Sequence, residues 1–160
     1  MIGMDVYHRL RGELDEFWRW AGISYEEYLN GAGPSFIRRS EWEDQYPGWY
    51  ELESAFKEAA LEFRIDDQID RKNALFETIA LDNEGENLNV FLWNVYPTFE
   101  RFVEDAMAQP SRWVRYQLIS LMRDMKYEDR VNVLHRLIDH DPDQMVREHA
   151  LGVLNYLLSS

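Results

Sequence analysis

Apolar residues recur at helical spacing from near the start of the chain. Val6, Leu10, Leu14, Phe17 and Ala21 fall on one face, Tyr7 and Trp18 widen the stripe, and Gly22 ends it. This predicts an amphipathic first helix. Ser24 followed by Glu27 has the spacing of a capping box, in which each side chain satisfies an orphan backbone donor, and Asn30-Gly31 closes the short helix that results. Residues 31–48 hold Gly31, Gly33, Pro34, Pro47 and Gly48, too many breakers for a regular element, yet they also hold Phe36, Ile37, Trp42 and Tyr46. A loop of that kind either packs on the core or binds something.

Leu52, Phe56, Ala59 and Phe63 share one face of a helix from about Tyr50, and Ile69, Leu75 and Ile79 continue the rhythm up to Asp82. A polar turn follows over 82–87. Residues 88–96 are nearly all apolar, which suits a buried helix or a buried strand equally, and their helical neighbours favour a helix. Pro97-Thr98 offers a new start, with Phe99, Phe102, Val103 and Met107 on the next face before Pro110. Over 128–139 one more helix places Val131, Leu134, Leu137 and Ile138 inward.

Shifting the chain by 32 positions aligns the ten residues from Pro110 with the ten from Pro142, matching Pro, Val-Arg and an apolar pair. Leu121, Met122 and Met125 then fall opposite Val153, Leu154 and Leu157, so the match preserves a buried helix face. A fainter copy, Arg71-x-x-Ala74-Leu75, lies 44 residues before its counterpart at Arg115. Residue roles follow from geometry alone: Pro142 stops one helix, Asp143 caps the next, Val146 packs inward, and Arg147 reaches back to carboxylates or carbonyls of the turn.

Residues 137–151, an apolar first helix, an Asp-Pro turn and Val-Arg opening a second helix, resemble a HEAT-type repeat. The resemblance covers residues 97–158 well and 66–96 poorly, and a spacing of 32 implies tight loops. It implies an all-α fold, a short right-handed stack of antiparallel helix pairs over 66–160, with 1–65 as a divergent helical cap that keeps the last apolar face dry. It also implies a scaffold or binding protein that presents a concave surface to another macromolecule.

At 160 residues the chain is read as a single helical domain with one core. It has no cysteine, which excludes disulfides and thiolate chemistry and suits the cytoplasm. No apolar run nears the ~20 residues that cross a bilayer, and the N-terminus lacks the order of a signal peptide, so no membrane association is expected. The formal charge of −13 argues against nucleic acid as a ligand, and sets this chain apart from the basic surfaces of HEAT-like DNA glycosylases. Residues 109–160 hold seven acids and seven bases, so the remaining 23 acids and 10 bases lie in 1–108. Residues 41–70 alone carry ten acids against Lys57 and Arg64. Such a block steers a basic partner, or serves as a solvated helix face.

No nucleophile elbow, phosphate-binding glycine loop or dinucleotide fingerprint is present. His135 and His140 are five apart, about 140° around a helix, so they do not share a face as metal ligands would. Glu100 and Glu104 are one turn apart, a spacing that arises by chance in a chain with 30 acids. Neither a catalytic residue, a metal site nor a cofactor is assigned. The candidate partner-binding residues are Trp42, Glu43, Asp44, Tyr46, Trp49, Tyr50 and Glu51, where aromatic anchors ringed by acids suit a basic protein surface, or else seal the end of the stack.

The resulting expectation is a non-enzymatic module that captures a basic protein, with the properties of an immunity protein neutralising a cationic toxin. The alternative is a scaffold or adaptor that holds a peptide or helix in its concave groove. An enzyme with a small-molecule site at the aromatic loop is a third class.

Overall fold

A computed structural model describes residues 5–31, 42–82 and 87–159. The described residues form ten helices and no strand: α1 (Val6–Ala21), α2 (Tyr25–Leu29), α3 (Trp42–Gln45), α4 (Trp49–Phe63), α5 (Ile69–Ile79), α6 (Asn87–Val95), α7 (Phe99–Met107), α8 (Arg112–Asp124), α9 (Arg130–His140) and α10 (Gln144–Ser159). The fold is all-α. No helix among the described residues is long and apolar enough to cross a membrane.

Local chemistry sets the helix ends. Gly22 terminates α1 in the left-handed region at φ 77°, where a residue without Cβ carries no steric cost. Ser24 and Glu27 make the reciprocal capping box that opens α2, and Thr98 caps α7 by accepting from the Arg101 amide. Residues 88–96 are helical through Val95. Within the breaker-rich stretch 31–48, Trp42–Gln45 forms one helical turn; Phe36 and Ile37 lie outside the described residues. The rhythm read as continuous from Leu52 to Ile79 is interrupted between Phe63 and Ile69, because Ile65 and Ile69 face solvent, 90% and 65% exposed, instead of extending the buried stripe.

Leu10, Leu14 and Phe17 of α1 pack with Leu52, Phe56 and Phe63 of α4 and Leu75, Phe76 and Ile79 of α5. The same core runs on through Leu88 and Leu92 of α6 to Val114, Leu118 and Leu121 of α8, and α10 covers α8 and α9. Buried polar groups tie these layers. Glu77 accepts from both Arg11 Nη atoms at 2.9 and 2.7 Å and from Trp18 Nε1 at 2.8 Å. Gln117 Nε2 donates to the carbonyls of Ile79 and Asp82, and the Asn89 side chain donates to the Gln117 carbonyl, which pins the end of α5 and the start of α6 to α8.

The two sequence copies make the same turn. Arg115 Nη1 donates to the Gln109 carbonyl at 2.8 Å, and Arg147 Nη1 donates to the Asp141 carbonyl at 2.7 Å, six residues back in both cases. Ser111 Oγ accepts from the Trp113 amide as Asp143 Oδ1 accepts from the Met145 amide, two residues on in both. Leu121 and Met122 are buried like Val153 and Leu154, while Met125 and Leu157 are both half-buried. Among the apolar pairs Ile119 is buried but Leu151 is 48% exposed, because no further helix covers α10 among the described residues. In α9 the inward face is Val133, Leu134 and Leu137, whereas Val131 is turned outward and 37% exposed.

Candidate functional site

The seven residues singled out between 42 and 51 separate into two groups. Trp42 is fully buried, with its ring centroid 5.1 Å from Phe17 and 5.4 Å from Tyr28. Trp49 is 7% exposed. These two tryptophans belong to the buried core rather than to a surface. Glu43 and Asp44 reach the outside of α3, and Tyr50 is 76% exposed on the first turn of α4. Burial together with Asp44 and Glu53 raises the Glu43 carboxyl above the usual carboxylate range.

Tyr46 and Glu51 come together in one place, an open cleft of about 450 Å³ between α1 and the start of α4. Its other walls are Glu13, Glu16 and Trp20 from α1, with Pro47 and Gly48 as the floor. The helical period explains the α1 contribution: Glu13, Glu16 and Trp20 are spaced three and four apart and so share a face. Trp20 and Tyr46 rest against each other at 5.1 Å with a 50° tilt, and Tyr46 meets Phe17 edge-on at 5.2 Å.

The Tyr46 ring lies directly over Gly48. A Cβ at position 48 would stand 2.6 Å from the phenol oxygen and 2.7 Å from Cζ, so any side chain there would push the Tyr46 ring aside. Tyr46 is only 8% exposed, and its hydroxyl makes no hydrogen bond to a described residue. Burial first, and then Glu13, Glu16 and Glu51, push its pKa up, against a smaller opposing effect of Arg19. The phenol is a protonated donor at neutral pH.

Several carboxylates elsewhere among the described residues are held in ion pairs. Glu58, Glu62, Asp66, Asp67 and Asp105 are all occupied by Arg9, Arg71, Lys72 or Arg101. Glu16 pairs with Arg19 at the cleft rim. Glu13 and Glu51 form no ion pair among the described residues. The arrangement is therefore an aromatic-walled site in which Glu13 and Glu51 carry no ion pair among the described residues.

No family model, curated protein or solved structure matches this chain.

Ser120 and His149 meet in the contact between α8 and α10. Ser120 Oγ lies 3.1 Å from His149 Nε2, and the imidazole stacks on Tyr116 at 3.8 Å and 11°. Burial, assisted by Arg123, lowers the His149 pKa to about 4, so the ring is neutral at the α8–α10 contact. Ser120 is 6% exposed, and no carboxylate orients the imidazole among the described residues. His8, His135 and His140 are exposed, and Glu104 is paired with Arg136 rather than with Glu100. No group of three or more His, Asp or Glu suited to a metal ion occurs among the described residues.

Proposed function

We propose that this chain is a non-enzymatic, HEAT-like binding module that captures a basic protein partner, acting as an immunity protein does towards a cationic toxin in the cytoplasm. The observation that carries the reading is the cleft between α1 and α4, where Glu13 and Glu51 form no ion pair among the described residues and stand beside the half-buried Trp20 and the Tyr46 phenol. Acids held in internal ion pairs contribute little to an outside partner, whereas unpaired acids beside an aromatic wall attract and then desolvate a cation. The acidic excess of residues 1–108 adds long-range steering of a basic partner.

The test is retention of partners from the native cell at low and at high salt, by the wild-type chain and by the Glu13→Lys/Glu51→Lys variant. One basic partner, lost in high salt and lost in the variant, supports the reading. An acidic partner, or retention that is indifferent to salt and to the variant, overturns it.

A second reading has its own observation. Leu151, Tyr156 and Leu158 on α10 are 48%, 60% and 68% exposed, an apolar outer face that suits an adaptor bound to another chain. Salt-resistant capture of several partners, abolished by Leu151→Glu/Leu158→Glu, would favour that role.

A further inference from the structure

We infer that the cleft between α1 and α4 is a receptor for one arginine side chain of the partner, with Trp20 as the stacking wall and Glu13, Glu51 and the Tyr46 hydroxyl as the acceptors. This inference rests on the basic-partner reading and specifies its contact.

Three features select a guanidinium. First, the acceptors come from two elements: Glu13 projects from α1 and Glu51 from the first turn of α4, so a ligand must donate in more than one direction. Arginine carries five donors in a rigid planar fork, while the ammonium of lysine is a compact charge. Second, the wall is aromatic. A planar, weakly hydrated cation stacks on an indole or phenol face at less desolvation cost than an ammonium does. Third, Tyr46 lines the cleft, and although the residue is only 8% exposed its hydroxyl makes no hydrogen bond to a described residue. Its oxygen lone pairs are available to an incoming N–H.

The rim already contains one example of the chemistry. Arg19 of the same chain pairs with Glu16, leaving Glu13 and Glu51 as the acceptors for a cation from outside. Gly48 keeps the phenol low in the floor, since any larger residue would displace it into the space that the guanidinium occupies.

The experiment titrates N-acetyl-arginine methylamide, and in parallel N-acetyl-lysine methylamide, into the full chain carrying nitrogen-15 at its tryptophan indoles, with the Trp20 signal assigned through Trp20→Phe. The arginine amide should shift the Trp20 indole and leave those of Trp42 and Trp49 in place. Its affinity should fall about tenfold in Glu13→Gln/Glu51→Gln, the loss expected for removing two charge-assisted acceptors at a partly exposed site. Tyr46→Phe, which keeps the ring and its packing, should also weaken it. Unchanged positions of the other indoles establish that each variant is folded. Equal binding of the lysine amide, no shift at Trp20, or a shift that survives both substitutions overturns the inference. If a salt-sensitive basic partner is captured but Trp20 does not respond to arginine, the cleft assignment fails alone. If arginine binds as described but no basic protein is retained, the functional reading fails and the cleft stands.

Discussion

Arg115 on α8 donates from Nε to Asp141 Oδ2 over 2.6 Å and from Nη2 to Oδ1 over 3.2 Å, and the two residues are only 7% and 6% exposed. Because the same guanidinium also holds the Gln109 carbonyl, it joins the turn before α8 to the turn before α10. Removing one member of a buried pair leaves the other charge uncompensated, typically at a cost of about 3–5 kcal/mol. Asp141→Ala should therefore lower the unfolding free energy by about that amount in urea, and Arg115→Met with Asp141→Leu should recover much of it. A single variant with the wild-type midpoint would show that the pair contributes nothing.

Trp42 and Trp20 should respond oppositely to truncation. Trp42 is fully enclosed by Phe17, Trp18 and Tyr28, so Trp42→Ala should destabilise by about 3–5 kcal/mol through lost burial and the cavity left behind. Trp20 is half-exposed, so Trp20→Ala should cost distinctly less stability while weakening partner capture. Urea unfolding of both variants, read beside binding, separates loss of fold from loss of site.

Two glycines should resist alanine for different reasons. At Gly22 nothing lies within 4 Å of a new Cβ, but φ is 77°, so the cost is backbone strain of about 1 kcal/mol. At Gly48 φ is −92°, which alanine adopts freely, and the cost arises instead from displacing the Tyr46 ring, about 1–3 kcal/mol. Thermal unfolding measures both losses, and only Gly48→Ala should move the Trp20 and Tyr46 resonances.

His149 should make stability fall on acidification. Its pKa in the folded chain is about 4, below the ordinary value of 6.5, because burial and Arg123 disfavour the charged ring. The unfolded chain then binds the proton more readily, so stability declines as pH falls from about 6.5 towards 4 and the contribution levels off below that. In His149→Gln the urea midpoint should change less between pH 7 and pH 4.5 than in the wild type. An identical pH dependence would remove His149 as its source.

Several elements were legible from residue spacing because their determinants lie within one or two turns of chain. The stripe Leu10, Leu14, Phe17 and the Ser24–Glu27 box need only neighbours three or four residues away. The 32-residue repeat likewise carried its own turn chemistry, and Arg147 and Asp143 act as their positions implied. The interruption at 64–68 was not legible, since Ile65 and Ile69 carry apolar side chains yet face solvent.

The candidate site was legible only in part. Tyr46 and Glu51 stand where acids and aromatics alternate, but Trp42 and Trp49, equally prominent in that alternation, are buried. Glu13, Glu16 and Trp20 carried a signal, a polar and aromatic face shared at helical spacing on α1, which gained meaning only beside α4.

What the sequence determined by itself was the helical class, the helix caps, the repeated turn and the concentration of acid in the first two thirds of the chain. Those properties are local or additive, so periodicity, capping chemistry and charge counting reach them. Only the tertiary structure decided which indoles are enclosed, which acids are already paired, and that Glu13 and Glu51, 38 residues apart, face one cleft. A hydrophobic period identifies the face that a helix buries. Which other helix meets that face, and what is left open at its edge, depends on contacts between distant segments.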